Sequence, residues 1–147
     1  MRMIYTYPAR LELDEEARLV VHFPDLPEAL TDGADEAEAL SEASDCLSEA
    51  LASRIVDQEE IPAPSAAGPD MHLVSPEPTI ALKAALYSAL RDAGITIDEL
   101  ARRLGIDDRE AARLISPRAR TRLTRLEEAL SVLGYTISIE VREKRVA

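Results

Sequence analysis

The sequence predicts an α+β protein built in two parts: an N-terminal β-β-β-α-β domain, a proline-rich linker, and a C-terminal all-α helix-turn-helix domain closed by a terminal strand. Three observations lead there. Apolar residues recur at every second position early in the chain and at every third or fourth across residues 35–58. Five of the nine prolines crowd into residues 61–78. Beyond them the pattern is helical and punctuated by Gly94, Gly105 and Gly134.

Tyr5, Tyr7, Leu11 and Leu13, then Leu19, Val21 and Phe23, keep a two-residue period on either side of the polar turn at 14–16, as paired antiparallel strands do. A third, shorter strand is expected at 29–31. Leu40, Ala43, Leu47, Leu51 and Ile55 then fall three or four apart, with Glu38, Glu42, Asp45 and Glu49 on other faces, which is the pattern of an amphipathic helix. Repeated proline fixes φ and removes backbone donors, so residues 61–78 should be extended and irregular apart from a short strand at 71–74. The domain boundary is expected at the end of that stretch, dividing residues 1–76 from 77–147.

In the second part Thr79 is expected to cap a helix whose Leu82, Leu86, Ala89 and Ala93 form one stripe ended by Gly94. Thr96 with Glu99, and Asp107 with Glu110, have capping-box spacing and start two short helices on either side of Gly105. A fourth helix spans 122–133, with Leu123, Leu126, Leu130 and Leu133 facing inward. Finally Tyr135, Ile137, Ile139 and Val141 alternate with polar residues, as in a half-buried strand. That strand has no local partner. Pairing with its own copy is preferred over pairing with the N-terminal sheet, which predicts a homodimer or higher homo-oligomer.

Charge divides the chain as sharply as periodicity does. The net charge is −11, but residues 1–79 hold four basic against 18 acidic side chains, a balance of −14, while residues 80–147 hold 13 against 10, a balance of +3. Such asymmetry points to an acidic partner-binding part beside a nucleic-acid-binding part. The single cysteine, Cys46, excludes an intrachain disulfide and suits a reducing compartment. With no membrane-length apolar run, a soluble cytoplasmic protein without membrane association is expected.

Leu100, Ala101 and Leu104 brace the helix-turn-helix, Gly105 turns it, and Ile106 plugs its core. With Ala111 and Leu114 inward, Asp108, Arg109, Ala112 and Arg113 lie on the outer face, toward the major groove of operator double-stranded DNA. Arg109 and Arg113 are the candidates for base contacts, since a guanidinium grips guanine O6 and N7 with two bonds worth ~1–3 kcal/mol of discrimination. Asp108 can accept from cytosine N4. Arg118, Arg120, Arg122 and Arg125, with Thr121, are placed to meet phosphates, which set register without reading sequence.

Several local words coincide with this layout: F-P-D-L-P at 23–27, T-x-G at 31–33, a helix rich in E-A-L words, and I-P-x-P-S at 61–65. Together they resemble HicB-type antitoxins of bacterial toxin–antitoxin systems over nearly the whole chain, although Glu28 stands where that family more often has glycine. The resemblance implies a partial, catalytically dead ribonuclease-H-like N-terminal domain that binds and masks HicA, a small basic RNA-cleaving toxin. It also implies a C-terminal domain that represses its own operon.

Read from the residues, the −14 half matches a basic RNA-binding enzyme electrostatically. Contact is expected around Pro24, Asp25, Leu26, Pro27 and Glu28, together with Asp32 and Glu36. A metal-dependent nuclease would need clustered carboxylates, but Asp25 lies between prolines and Glu12, Asp14, Glu15 and Glu16 belong to a polar turn. His22, His72 and Cys46 form no ligand cluster. No enzyme activity, metal or cofactor is therefore expected. The competing reading is a stand-alone helix-turn-helix regulator whose first domain binds another protein or a small ligand.

Overall fold

The computed structural model describes residues 1–144. Strands β1 (Tyr7–Leu13), β2 (Leu19–His22), β3 (Leu30–Gly33) and β4 (His72–Val74) form one antiparallel sheet in the order β3-β2-β1-β4. Helix α1 (Glu36–Val56) covers one face of it. The expected α+β layout is present, with the third strand at Leu30–Gly33 where 29–31 was expected. Asp14 sets the β1–β2 turn: its carboxylate accepts from the backbone N–H groups of Glu16 and Arg18, both at 2.9 Å. Tyr7, Ala9, Val21 and Phe23 alternate inward from the strands and meet Ala39, Ala43, Leu47 and Leu51 of α1. Leu13, at the turn end of β1, is exposed.

Asp35 caps α1 by accepting from the Glu38 N–H at 2.8 Å. The strand-to-helix corner before it is tight. A Cβ placed on Gly33 would lie 2.3 Å from the Ala39 nitrogen and 2.6 Å from its Cα, so only glycine lets β3 run into the first turn of α1. This is the physical content of the T-x-G word.

Four helices follow: α2 (Pro78–Ala93), α3 (Ile97–Leu104), α4 (Asp108–Ile115) and α5 (Leu123–Val132). Leu86, Leu90, Leu100, Leu114, Leu126 and Leu130 form their core. Helix α2 starts two residues ahead of expectation, with Pro78 at its first turn, and Thr79 is not its cap. The preceding Glu77 has no capping side-chain bond and instead donates its N–H to Ser48 Oγ at 2.9 Å. Ala93 and Leu123 are exposed rather than inward, because the helices they end or begin have no neighbour at those positions to cover them. Lys83, by contrast, is wholly buried on the apolar side of α2.

No strand forms at 135–141 among the described residues. An extended segment becomes a strand only when a neighbour satisfies its N–H and C=O groups, and none lies alongside. Tyr135 and Ile137 pack against the helical core, while Ile139 and Val141 are exposed.

Apart from β4 the proline-rich segment is irregular, as expected, and the chain entering it, residues 58–62, is held. Gln58 O accepts from Arg91 Nη1 at 2.9 Å, Glu59 O from Tyr87 Oη at 2.7 Å, Glu60 O from Arg54 Nη1 at 2.7 Å, and Pro62 O from Tyr7 Oη at 2.7 Å. Tyr87 and Arg91 stand on α2, Tyr7 and Arg54 on the sheet and α1. A small apolar cluster of Ile55, Ala84 and Tyr87, with Tyr5, Ile61 and Ile115 around it, fills the space between the two halves.

Gly33→Ala should destabilise the protein by about 3 kcal/mol, the upper part of the overpacking range, because the obstructing atoms are backbone. Chemical denaturation monitored by circular dichroism checks this, and a loss below about 1 kcal/mol would mean that the β3–α1 corner can relax.

Candidate functional site

The α3–turn–α4 pair is built by local rules. Thr96 caps α3 by accepting from the Glu99 N–H at 3.2 Å. Gly105 ends it in the left-handed region at φ 66°, where the Gly105 N–H donates to Arg102 O and the Ile106 N–H to Ala101 O. That pair of bonds is the Schellman arrangement. Asp107 then caps α4, accepting from the Glu110 N–H at 2.8 Å. The capping boxes are one-sided: Glu99 turns its carboxylate to Arg102 and Arg103, and Glu110 turns to Arg125 at 3.1 Å.

On α4, Ala111 and Leu114 are buried, while Asp108, Arg109, Ala112 and Arg113 are exposed together on the outer face. The next segment, 116–122, presents Arg118, Arg120 and Arg122. None of the five arginines 109, 113, 118, 120 and 122 forms an ion pair among the described residues. Arg113, Arg120, Thr121, Arg122 and Arg125 line one open groove between the end of α4 and the start of α5. Arg125 already faces Glu110 and Glu128. Asp108 sits beside Asp98, whose charge raises the Asp108 carboxyl pKa above the ordinary aspartate value. An acidic corner therefore marks the start of α4 and a bare cationic surface its end.

Lys83 is the residue that periodicity missed. Its Nζ donates to Ala119 O at 2.7 Å, to Thr121 Oγ1 at 2.9 Å, to Arg113 O at 3.1 Å and to Ser116 O. The Thr121 hydroxyl is thus engaged inside the protein. Burial first, and the nearby Arg113 charge second, lower the lysine pKa, and four oxygen acceptors oppose them by favouring the ammonium form. A signal for Lys83 existed: with Ile80, Ala84, Tyr87 and Leu90 it falls on the i, i+3, i+4 spacing of the buried side.

The acidic surface is less free than its charge suggests. Asp25 accepts from the Ser65 N–H and Oγ, both at 3.0 Å, so the F-P-D-L-P and I-P-x-P-S words meet through one carboxylate. Glu28 takes the Arg54 guanidinium with both oxygens, at 2.6 and 3.0 Å. Asp32 pairs with Arg18 at 2.9 Å, and Glu36 lies 2.9 Å from His72 Nε2. These partners were missed because they lie 14 to 40 residues away in sequence. Pro24 and Pro27 are exposed, whereas Leu26 is buried in the core and supports the loop from beneath. Glu42, Asp45 and Glu49 stand exposed on α1 with no ion-pair partner among the described residues. No helix among the described residues is long and apolar enough to cross a membrane.

Residues 6–85 match the family described as HicB_like antitoxin of bacterial toxin-antitoxin system. The chain is 35% identical to Antitoxin HicB 1 of Photorhabdus laumondii over 135 residues, which cover 92% of this chain and 86% of that protein. It is 35% identical to Antitoxin HicB of Escherichia coli K12 over 133 residues, covering 90% and 96%. With Antitoxin HicB of Pseudomonas fluorescens the figures are 31% over 143 residues, covering 96% and 98%.

Hydrogen bonding to Arg54 holds the Glu28 carboxyl pKa below the ordinary glutamate value. A carboxylate whose folded pKa is depressed adds stability above its unfolded pKa and loses it as pH falls through the folded one. Glu28→Gln should therefore cost about 1 kcal/mol near neutral pH, a figure kept small by the partial exposure of the pair. The difference should shrink once the pH falls below the ordinary glutamate value of about 4.3 and vanish below the depressed folded one, as urea denaturation of both proteins across an acid pH series will test.

Proposed function

The chain belongs to the HicB-like antitoxin family of bacterial toxin–antitoxin systems, and from that premise we propose that it neutralises a HicA-like RNA-cleaving toxin and represses its own operon. The first domain, 1–76, masks the small basic toxin. The second, 77–147, binds operator DNA as a homodimer or higher homo-oligomer. The observation that carries this reading is the pairing of a bare five-arginine surface on and after α4 with an N-terminal half whose balance is −14.

Each surface has a physical role in this scheme. Arg109 and Arg113 read base edges, with Asp108 and Ala112 beside them on the outer face of α4. Arg118, Arg120 and Arg122 meet phosphates, and Thr121 fixes the loop between them. On the toxin side, Pro24, Asp25, Pro27, Glu28, Asp32 and Glu36 surround the loop that Leu26 anchors. Their carboxylates are already paired with Ser65, Arg54, Arg18 and His72, which gives the surface a fixed shape and leaves their remaining charge to attract the toxin. Ile139 and Val141, exposed beyond Tyr135 and Ile137, add a strand to the same segment of a second copy.

Co-expression with the small basic protein encoded beside this gene tests the reading. A co-eluting complex that rescues growth is the expected result, and a harmless, unbound neighbour refutes it. Arg113→Ala should weaken operator binding while sparing toxin binding, as parallel band-shift and pull-down measurements will show. Because the acidic half repels DNA, the toxin-loaded complex should bind operator more tightly than free protein at the same salt. Equal or weaker affinity would remove that electrostatic coupling.

A further inference from the structure

Three of the arginines proposed to meet phosphates, Arg118, Arg120 and Arg122, stand on the segment 116–122, which has no helix or strand of its own. A phosphate contact sets register only if the contacting side chain is itself held in place. The segment's one internal backbone bond is the turn from the Ala119 N–H to Ser116 O, at 3.2 Å. Its ends reach α4 through the Ser116 N–H on Ala112 O at 3.2 Å and the Thr121 hydroxyl on Arg113 O at 3.4 Å, and a single buried amino group on α2 gathers both ends and the turn between them.

We propose that Lys83 is the positioning residue of the DNA-binding surface: its ammonium gathers the last turn of α4 and the loop after it, so that Arg113, Arg118, Arg120 and Arg122 present one continuous phosphate-binding surface. This rests on the operator-binding reading above. The Lys83 side chain is wholly buried, so it touches no DNA and acts only through others. Its acceptors, Arg113 O, Ser116 O, Ala119 O and Thr121 Oγ1, run in order along the recognition helix and loop. Three ammonium hydrogens shared among four oxygens leave no donor free.

The arrangement also explains why a charge sits in an apolar stripe. The end of a helix carries partial negative charge on its last carbonyls, which a cation stabilises. No acidic side chain pairs with Lys83 among the described residues, so the peptide oxygens are its counter-charge. Leucine or methionine at this position would continue the packing of α2 but leave the carbonyls of residues 113, 116 and 119 without this donor. The Thr121 hydroxyl, between Arg120 and Arg122, would keep only its longer bond to Arg113 O, at 3.4 Å.

Operator affinity of the full chain, measured by fluorescence anisotropy on the duplex immediately upstream of its reading frame, tests the assignment. The comparison is wild type against Lys83→Met across a salt series, at a temperature where circular dichroism finds both folded. The variant should bind at least tenfold more weakly at about 0.1 M salt, and its slope of log K against log salt should be shallower by about 1.8, the loss of two phosphate contacts. A folded variant with the wild-type affinity and slope overturns the proposal, since a role in stability alone moves neither. If Lys83→Met does not fold, Thr121→Val replaces it. The loss of slope should then exceed about 0.9, the most that one direct contact of the threonine itself could supply, and a smaller loss overturns the proposal. Wild-type protein that fails to bind the duplex refutes operator binding itself, and the positioning role with it.

Discussion

The backbone carbonyls of residues 58–62 impose the constraint around which the molecule is arranged. This segment, which leads into the proline-rich stretch, joins no sheet, yet it lies against both halves and its carbonyls need donors. Arg91 and Tyr87 supply two of them from α2, and Arg54 and Tyr7 supply two from α1 and β1. The linker is therefore a shared hydrogen-bonding surface. Ile61 inserts into the apolar cluster between the halves at the same place.

Arg54 connects this constraint to the acidic surface. One edge of its guanidinium donates to both oxygens of the Glu28 carboxylate and its Nη1 donates to Glu60 O. Asp25 does the equivalent from the opposite direction, holding Ser65 three residues beyond Pro62. The residues that give the F-P-D-L-P loop its charge are thus also the ones that fix the strap. An acidic side chain in this loop contributes to the surface charge and to the protein's own geometry at once, so its substitution changes both.

The C-terminal half uses opposite chemistry for the same purpose. Its arginines on and after α4 are left without carboxylate partners, and order comes from beneath, through the Lys83 ammonium and the peptide oxygens it gathers. Charges on the outer surface stay available because none of them is required for the fold. Elsewhere in this half Arg102, Arg103 and Arg125 are paired with Glu99 or Glu110, which limits the free cationic surface to one side.

Local chemistry by itself determined much of this protein. Two-residue periodicity placed β1 and β2, three-to-four periodicity placed α1, and Thr96, Gly105 and Asp107 placed the turn between α3 and α4, because strand faces, caps and left-handed glycines depend on neighbours within a few residues. The inward Ala111 and Leu114 put Arg109 and Arg113 outside for the same reason. Tertiary structure alone decided what lies far apart in sequence: that Asp25 holds Ser65, that Arg54 serves both Glu28 and the strap, that Gly33 is pressed against Ala39, and that Lys83 is buried beneath the end of α4. Periodicity reports which face of an element is apolar. It carries no information about which distant carbonyl or carboxylate arrives at that face, and in this molecule those arrivals determine which charges are held inside and which are left for a partner.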